Sequence, residues 1–200
     1  GPFATLYLAD LGAQVVHIES PTRPDLVRML PPYAHGQATS HSYLNRNKQS
    51  VTLDLKDPQS IEAIKQKIAD YDVVVEQFRP GVMQRLGLDY AALAEIHPGL
   101  IYCSITGYGQ TGAYKDKAGH DINYVALSGI AGHSGRAESG PPPLGIQIAD
   151  VAGGSLHAVI GILTAVIERQ KSGLGQYIDI SMTDSAVGLN NMAAAAVLAG

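Results

Sequence analysis

Four short runs rich in Val and Ile alternate with stretches of helical period, and this alternation constrains the fold more than any other feature. The runs are "QVVHIE" (14–19), "SVTLDL" (50–55), "VVVEQF" (73–78) and "LIYCSIT" (100–106), each the length of a buried strand. Between the second and third lies "DPQSIEAIKQKIADY", where Asp57 suits an N-cap, Pro58 the first helical position, and Ile61, Ile64 and Ile68 share one face. "LDYAALAEIHPG" reads as another helix, with Asp89 as its N-cap. Strand, helix, strand in regular order predicts an α/β chain with a doubly wound parallel sheet covered on both faces. Ligands in such sheets bind beyond the carboxyl ends of the strands, here Glu19-Ser20, Gln77-Phe78-Arg79 and Thr106-Gly107-Tyr108.

The second half differs. After the Gly/Pro loop "GRAESGPPPLG" comes "DVAGGSLHAVIGILTAVIERQKSG", a long helix apolar nearly all round until Glu168 and stopped at Gly173. A helix apolar on every side is expected to be buried on every side, by a second subunit or by further chain. "YIDISM" (177–182) alternates as a strand and leads into an alanine-rich helix. The chain opens at Gly1-Pro2 directly into a helix and stops in mid-helix at Gly200, as expected for a piece of a longer protein.

Charge excludes one class of partner. A net charge of −4 provides no basic surface for nucleic acid, although a small anion needs only two or three local cations. The single cysteine, Cys103, forms no internal disulfide, so a reducing, cytoplasmic setting is expected, with Cys103 as a buried structural thiol. No signal peptide is evident, and the closing "NNMAAAAVLAG" is too short and alanine-rich for a membrane span, so no membrane partner is expected.

The seven histidines show no i, i+4 pair and have no cysteine partner, so no metal site is expected. The serine-hydrolase pattern G-x-S-x-G is absent. "GYGQTG" (107–112) resembles a phosphate-cradling loop but lacks the lysine and the full glycine spacing. "EQFRPG" (76–81) is more informative, because Phe78 and Arg79 emerge at the ligand edge and offer a ring face and a guanidinium to a nucleotide-like ligand. "AGHDINY" (118–124) and "IADVAGGS" (148–155) place His120, Asp121 and Asp150 where apolar helices begin. That position suits helix capping, and it equally suits proton or acyl chemistry in a shielded pocket.

Taken in order, "GPFATLYLADLGAQVVHIE", "NRNKQSVTLDLK", "EQFRPGVMQRLGLDY", "IYCSITGYGQTGAYKDKAGHDINY" and "IADVAGGS…GILTAVIERQKSGLGQYIDISM" resemble the class III CoA-transferase family, which includes 2-methylacyl-CoA racemases. The resemblance runs from residue 1 to about 190. It implies a large, Rossmann-like CoA-binding domain over 1–200, with the small domain absent or only begun at the C-terminus, and an interlocked homodimer. It implies no prosthetic group; coenzyme A enters as part of an acyl-CoA thioester substrate. By the same resemblance CoA is held by Leu53, Asp54, Leu55 and Lys56, by Gln77, Phe78, Arg79 and Arg85, and by Ala118, Gly119 and Asp121. Asp150 and His120 are the implied catalytic residues. The family commonly has Arg where this chain has Ser20, and Arg23 or Arg28 is the candidate substitute.

Two chemistries follow from the resemblance. A transferase uses the aspartate to form acyl-anhydride and aspartyl-CoA intermediates. A racemase uses the aspartate and the histidine as acid and base on opposite faces of the carbon next to the thioester. An imidazole of ordinary pKa, about 6.5, accepts a proton at neutral pH, and an aspartate raised by burial supplies one. The glycines of "DVAGGS" are expected to let backbone N–H groups approach the enolate oxygen. Racemisation is the preferred expectation because a transferase has no evident use for His120; CoA transfer through Asp150 is the alternative. A CoA-binding domain without turnover is the third reading, and it needs neither residue.

Overall fold

The computed structural model describes residues 1–200. Helix α1 (Pro2–Asp10) leads into strand β1 (Val15–Glu19), the short pair β2 (Tyr33–Ala34) and β3 (Gln37–Ala38), helix α2 (Thr39–Leu44) and strand β4 (Lys48–Thr52). Helix α3 (Pro58–Lys67), strand β5 (Val73–Glu76), helices α4 (Val82–Leu86) and α5 (Tyr90–Ile96) and strand β6 (Ile101–Thr106) follow. The remainder holds α6 (Asp121–Leu127), a π-helical segment Ala149–Leu156 running on into α7 (His157–Ser172), strand β7 (Tyr177–Ser181), α8 (Met182–Leu189) and α9 (Asn191–Leu198).

The long strands pair in parallel, as the alternating pattern predicts, but not in one continuous sheet. β1 pairs with β4, with Val15 opposite Lys48 and Glu19 opposite Thr52. β5, β6 and β7 form a second parallel sheet in that order. The edges of β1 and β5 face an apolar cleft of about 430 Å³, lined by Val15 to Ile18 on one side and Val73 to Glu76 on the other. No ladder hydrogen bonds join β1 and β5, which belong to different sheets.

Burial on both faces explains the Val/Ile runs. Every residue of β6 is buried. Cys103 and Ile105 point toward α1 and α7, packing with Ala4, Ala158, Val159 and Ile162. Tyr102 points the other way, into a cluster with Ile68, Leu88, Leu93 and Leu100. Ile61 and Ile64 of α3 pack on that second cluster, as their spacing predicts. Asp57 caps α3 by accepting a hydrogen bond from the Gln59 amide at 3.0 Å, and Pro58 stands in its first turn. Asp89 is the N-cap of α5 by backbone conformation, but its side chain makes no capping bond. Burial pushes the Cys103 thiol up to about 12, as befits a structural cysteine.

One expectation needs correction. The second strand was expected over 50–55, yet β4 ends at Thr52. Leu53 still donates its amide to the Glu19 carbonyl, and then the Asp54 carboxylate accepts from the Lys56 amide at 3.0 Å and closes a turn. An aspartate two residues before a free amide favours that turn over continued extension. The helix over 151–167 is expected to be buried on every side, in part by a second subunit or by further chain. Within this chain its Ala158, Val159, Ile162 and Ala165 face is buried, and Ile160, Leu163 and Ile167 are exposed. Ala149–Ser172 is long and apolar enough to cross a membrane by length and composition, a test that a helix packed on a core sheet also passes. Gly173 ends it with φ +75°, a conformation that a side chain would strain.

At the carboxyl end of β1, Glu19 is buried and takes two hydrogen bonds from Arg28, with Ser50 and the Asp25 amide as further donors. The Arg28 guanidinium holds the Glu19 carboxyl down at about 2, against an ordinary 4.5. A depressed carboxylate contributes stability that is complete above its unfolded value and is lost as pH falls toward the folded one. Unfolding of the intact protein in urea is therefore expected to lose stability between about pH 4.5 and pH 2 through this group. Arg28→Ala is expected to cost about 2 kcal/mol at pH 7, a figure already reduced for the solvent-facing guanidinium, and to flatten that acid limb. An unchanged limb would assign the acid loss elsewhere.

Candidate active site

Asp150 sits in the wide π-helical segment, which packs against α8 and the strands β6 and β7. Its backbone N–H donates to Asp121 Oδ1 at 2.9 Å, which joins the start of α6 to the start of the long helix. Val151 donates its amide to Gln147, and Ser155 Oγ donates to the Asp150 carbonyl at 3.0 Å. Gly153 and Gly154 are buried, and a Cβ on them would come within 3.0 Å of the Met182 carbonyl oxygen and 2.9 Å of the Met182 side chain. These glycines therefore let α8 approach. The Asp150 and Val151 amides are already engaged and are not free for an enolate oxygen.

The electrostatics of Asp150 are set by its surroundings. Burial raises its carboxyl above the usual range and the Asp121 charge raises it further, while the amino group of Gly1 and then His120 oppose both. His120 itself is exposed at the N-cap of α6, where its amide donates to Asn123 Oδ1 at 2.9 Å. Beneath it lies Tyr124, buried, with its hydroxyl pushed up to about 12 by burial and by Asp150. The Tyr124 ring rests on Gly107 and Gly119, where a Cβ would come as close as 2.4 and 2.6 Å. Here glycine is required by contact.

The expected CoA-binding residues fall into two groups. Leu53, Leu55, Gln77 and Phe78 line the cleft between β1 and β5. Asp54 and Lys56 form the turn beside it, and Arg79 and Arg85 are exposed on the loop and helix after β5. Ala118, Gly119 and Asp121 belong instead to the Asp150 side. Of the two candidates for the missing cation near Ser20, Arg28 is committed to Glu19, whereas Arg23 is exposed and makes no ion pair. The "GYGQTG" loop does not present itself as an anion cradle, because the Gln110 amide already donates to the Asp179 carboxylate at 2.9 Å. Sequence reading missed the grip of Asp121 on Asp150 and the π-helical turn. Only the Gly153-Gly154 pair hinted at close packing there.

Parallel strands with helices over both faces, and an acidic pair beside a histidine past the strands' carboxyl ends, define a class of α/β fold. Residues 1–200 match the CoA-transferase family III profile from end to end, and the chain belongs to that family. It is 40% identical over 201 residues to the human succinyl-CoA:glutarate CoA-transferase, which covers 100% of this chain and 46% of that protein. It is also 40% identical over 192 residues to the mouse alpha-methylacyl-CoA racemase, covering 96% of this chain and 46% of that one. The crystal structure of a CAIB/BAIF family protein from Brucella suis superposes with a TM-score of 0.93 at 37% identity, over 100% of this chain and 53% of that chain. The chain thus spans about half the length of the relatives it matches.

Proposed function

We propose that the protein acts on acyl-CoA thioesters and moves the proton on the carbon next to the thioester, as a 2-methylacyl-CoA racemase does. The supporting observation is the hydrogen bond at 2.9 Å from the Asp150 amide to Asp121, the residue next to His120, together with burial that biases the Asp150 carboxyl toward its protonated form. A carboxyl with a raised pKa can hold a proton and return it to carbon. In this reading the His120 imidazole takes the α-proton, the electron pair passes into the thioester as an enolate, and the Asp150 carboxyl returns a proton to the opposite face. For the other enantiomer the two exchange roles. Leu53 to Lys56, Gln77, Phe78, Arg79, Arg85 and Ala118 to Asp121 hold the CoA portion, and no prosthetic group takes part. Deuterium uptake at the α-carbon in D₂O tests the reading.

CoA transfer is the second reading, supported by the identity to the human succinyl-CoA:glutarate CoA-transferase. Asp150 would then attack the thioester carbonyl, expel the CoA thiolate and pass through an anhydride. A chain that held CoA without turnover would have no use for His120 or Asp150.

The same reading includes a homodimer. The exposed Ile160, Leu163 and Ile167 form a stripe on α7 opposite its buried face, and pairing would remove it from water. Sedimentation of the intact protein is expected to show a dimer at micromolar concentration. A monomer there would end the dimer proposal.

A further inference from the structure

Glu76 is a buried acid for which the reaction above has no use. It closes β5 after three valines, is 8% exposed, and forms no ion pair. Burial raises its carboxyl above the usual range. A buried carboxyl is costly unless its oxygens are satisfied, and a valine here would simply have continued the strand. Both oxygens are satisfied. Oε2 accepts the Phe78 amide at 2.7 Å. Oε1 accepts Ser104 Oγ on β6, and Ser104 Oγ in turn accepts the Tyr177 hydroxyl on β7 at 3.1 Å. The Tyr177 ring stacks on Tyr90 of α5, with centroids 5.7 Å apart. One carboxyl thus ties the residue that leaves the sheet at Phe78 to β6 directly, and to β7 through Ser104.

We propose that Glu76 is a positioning residue that fixes the Gln77-Phe78-Arg79 exit for the CoA portion of the substrate, acting through the Phe78 amide. The proposal rests on the acyl-CoA reading above. Phe78 is 42% exposed and its side chain lines the cleft, so its backbone hydrogen bond is what fixes the direction of the ring. Arg79 follows directly, and its placement depends on the same peptide. Because Glu76 does not touch the reacting carbon, its loss should weaken binding of substrate and transition state alike.

The test compares Glu76→Ala with Glu76→Gln in the intact protein. Glutamine keeps one oxygen for the Phe78 amide and reverses only the Ser104 bond. Glu76→Ala is expected to raise KM for the acyl-CoA about tenfold with kcat within about threefold, the pattern of lost uniform binding. Hydrogen exchange at the Phe78 amide, read without ligand, should accelerate about tenfold in Glu76→Ala and stay near wild type in Glu76→Gln. Wild-type KM and exchange in Glu76→Ala overturn the proposal, as does a Glu76→Gln indistinguishable from a defective Glu76→Ala. Should the alanine variant fail to fold, Ser104→Ala removes the carboxyl's other anchor. It is then expected to raise KM and Phe78 exchange about threefold, and unchanged values overturn the proposal. A wild-type protein that binds no CoA thioester defeats the substrate reading, while the exchange comparison still reads Glu76.

Discussion

Asp150→Asn is expected to slow deuterium incorporation at the α-carbon of a 2-methylacyl-CoA by about 10²–10⁴-fold, the usual cost of removing a general acid–base group. The substitution is close to isosteric and leaves the Asp150 backbone N–H on Asp121, so the start of the long helix keeps its anchor. What it removes is the exchangeable proton. Wild-type enzyme, incubated in D₂O with no acceptor acid, should wash deuterium into that position, because both catalytic groups exchange with solvent between turnovers. CoA transfer predicts a different pair of results. The α-carbon stays protonated in wild type, and hydroxylamine traps a modified Asp150 that the asparagine variant cannot form. Wild-type exchange that survives in Asp150→Asn would remove Asp150 from the proton path.

The parts of this picture visible in the sequence are those fixed by short-range physics. Val and Ile runs marked the strands because β5 and β6 are packed from both sides, and Asp57-Pro58 marked a helix start because capping is a matter of neighbouring residues. Strand pairing is not short-range. Nothing in "QVVHIE" or "VVVEQF" says that a cleft separates them. In "SVTLDLK" β-propensity and the turn-forming Asp54 compete, and the carboxylate's bond to the Lys56 amide ends the strand early. The π-helical turn at Asp150 has no periodic signature over eight residues. The grip of Asp121 on Asp150 spans 29 positions, so only the fold shows it. The long helix is a different case. Composition reports apolar residues on both faces and cannot say which face the core covers.

Whether His120 is a catalyst or a helix cap is decided by two substitutions at that one position. His120 occupies the N-cap of α6, and a poor cap there costs about 0.5–2 kcal/mol of stability without touching chemistry. Asparagine is among the best N-caps, but at neutral pH its amide neither takes nor returns a proton. A capping role therefore predicts that His120→Asn matches or exceeds wild type in both stability and deuterium exchange, with His120→Ala merely less stable. A proton-transfer role predicts that both variants lose about 10²–10⁴-fold in exchange from the enantiomer whose α-hydrogen faces the imidazole. The asparagine variant should lose it even while fully folded. Asp150 remains in place in each, so hydroxylamine trapping, where it occurs at all, should be as strong as in wild type. The prediction is that folded, stable His120→Asn fails to exchange the α-proton, and full exchange in that variant would return "AGHDINY" to ordinary helix capping.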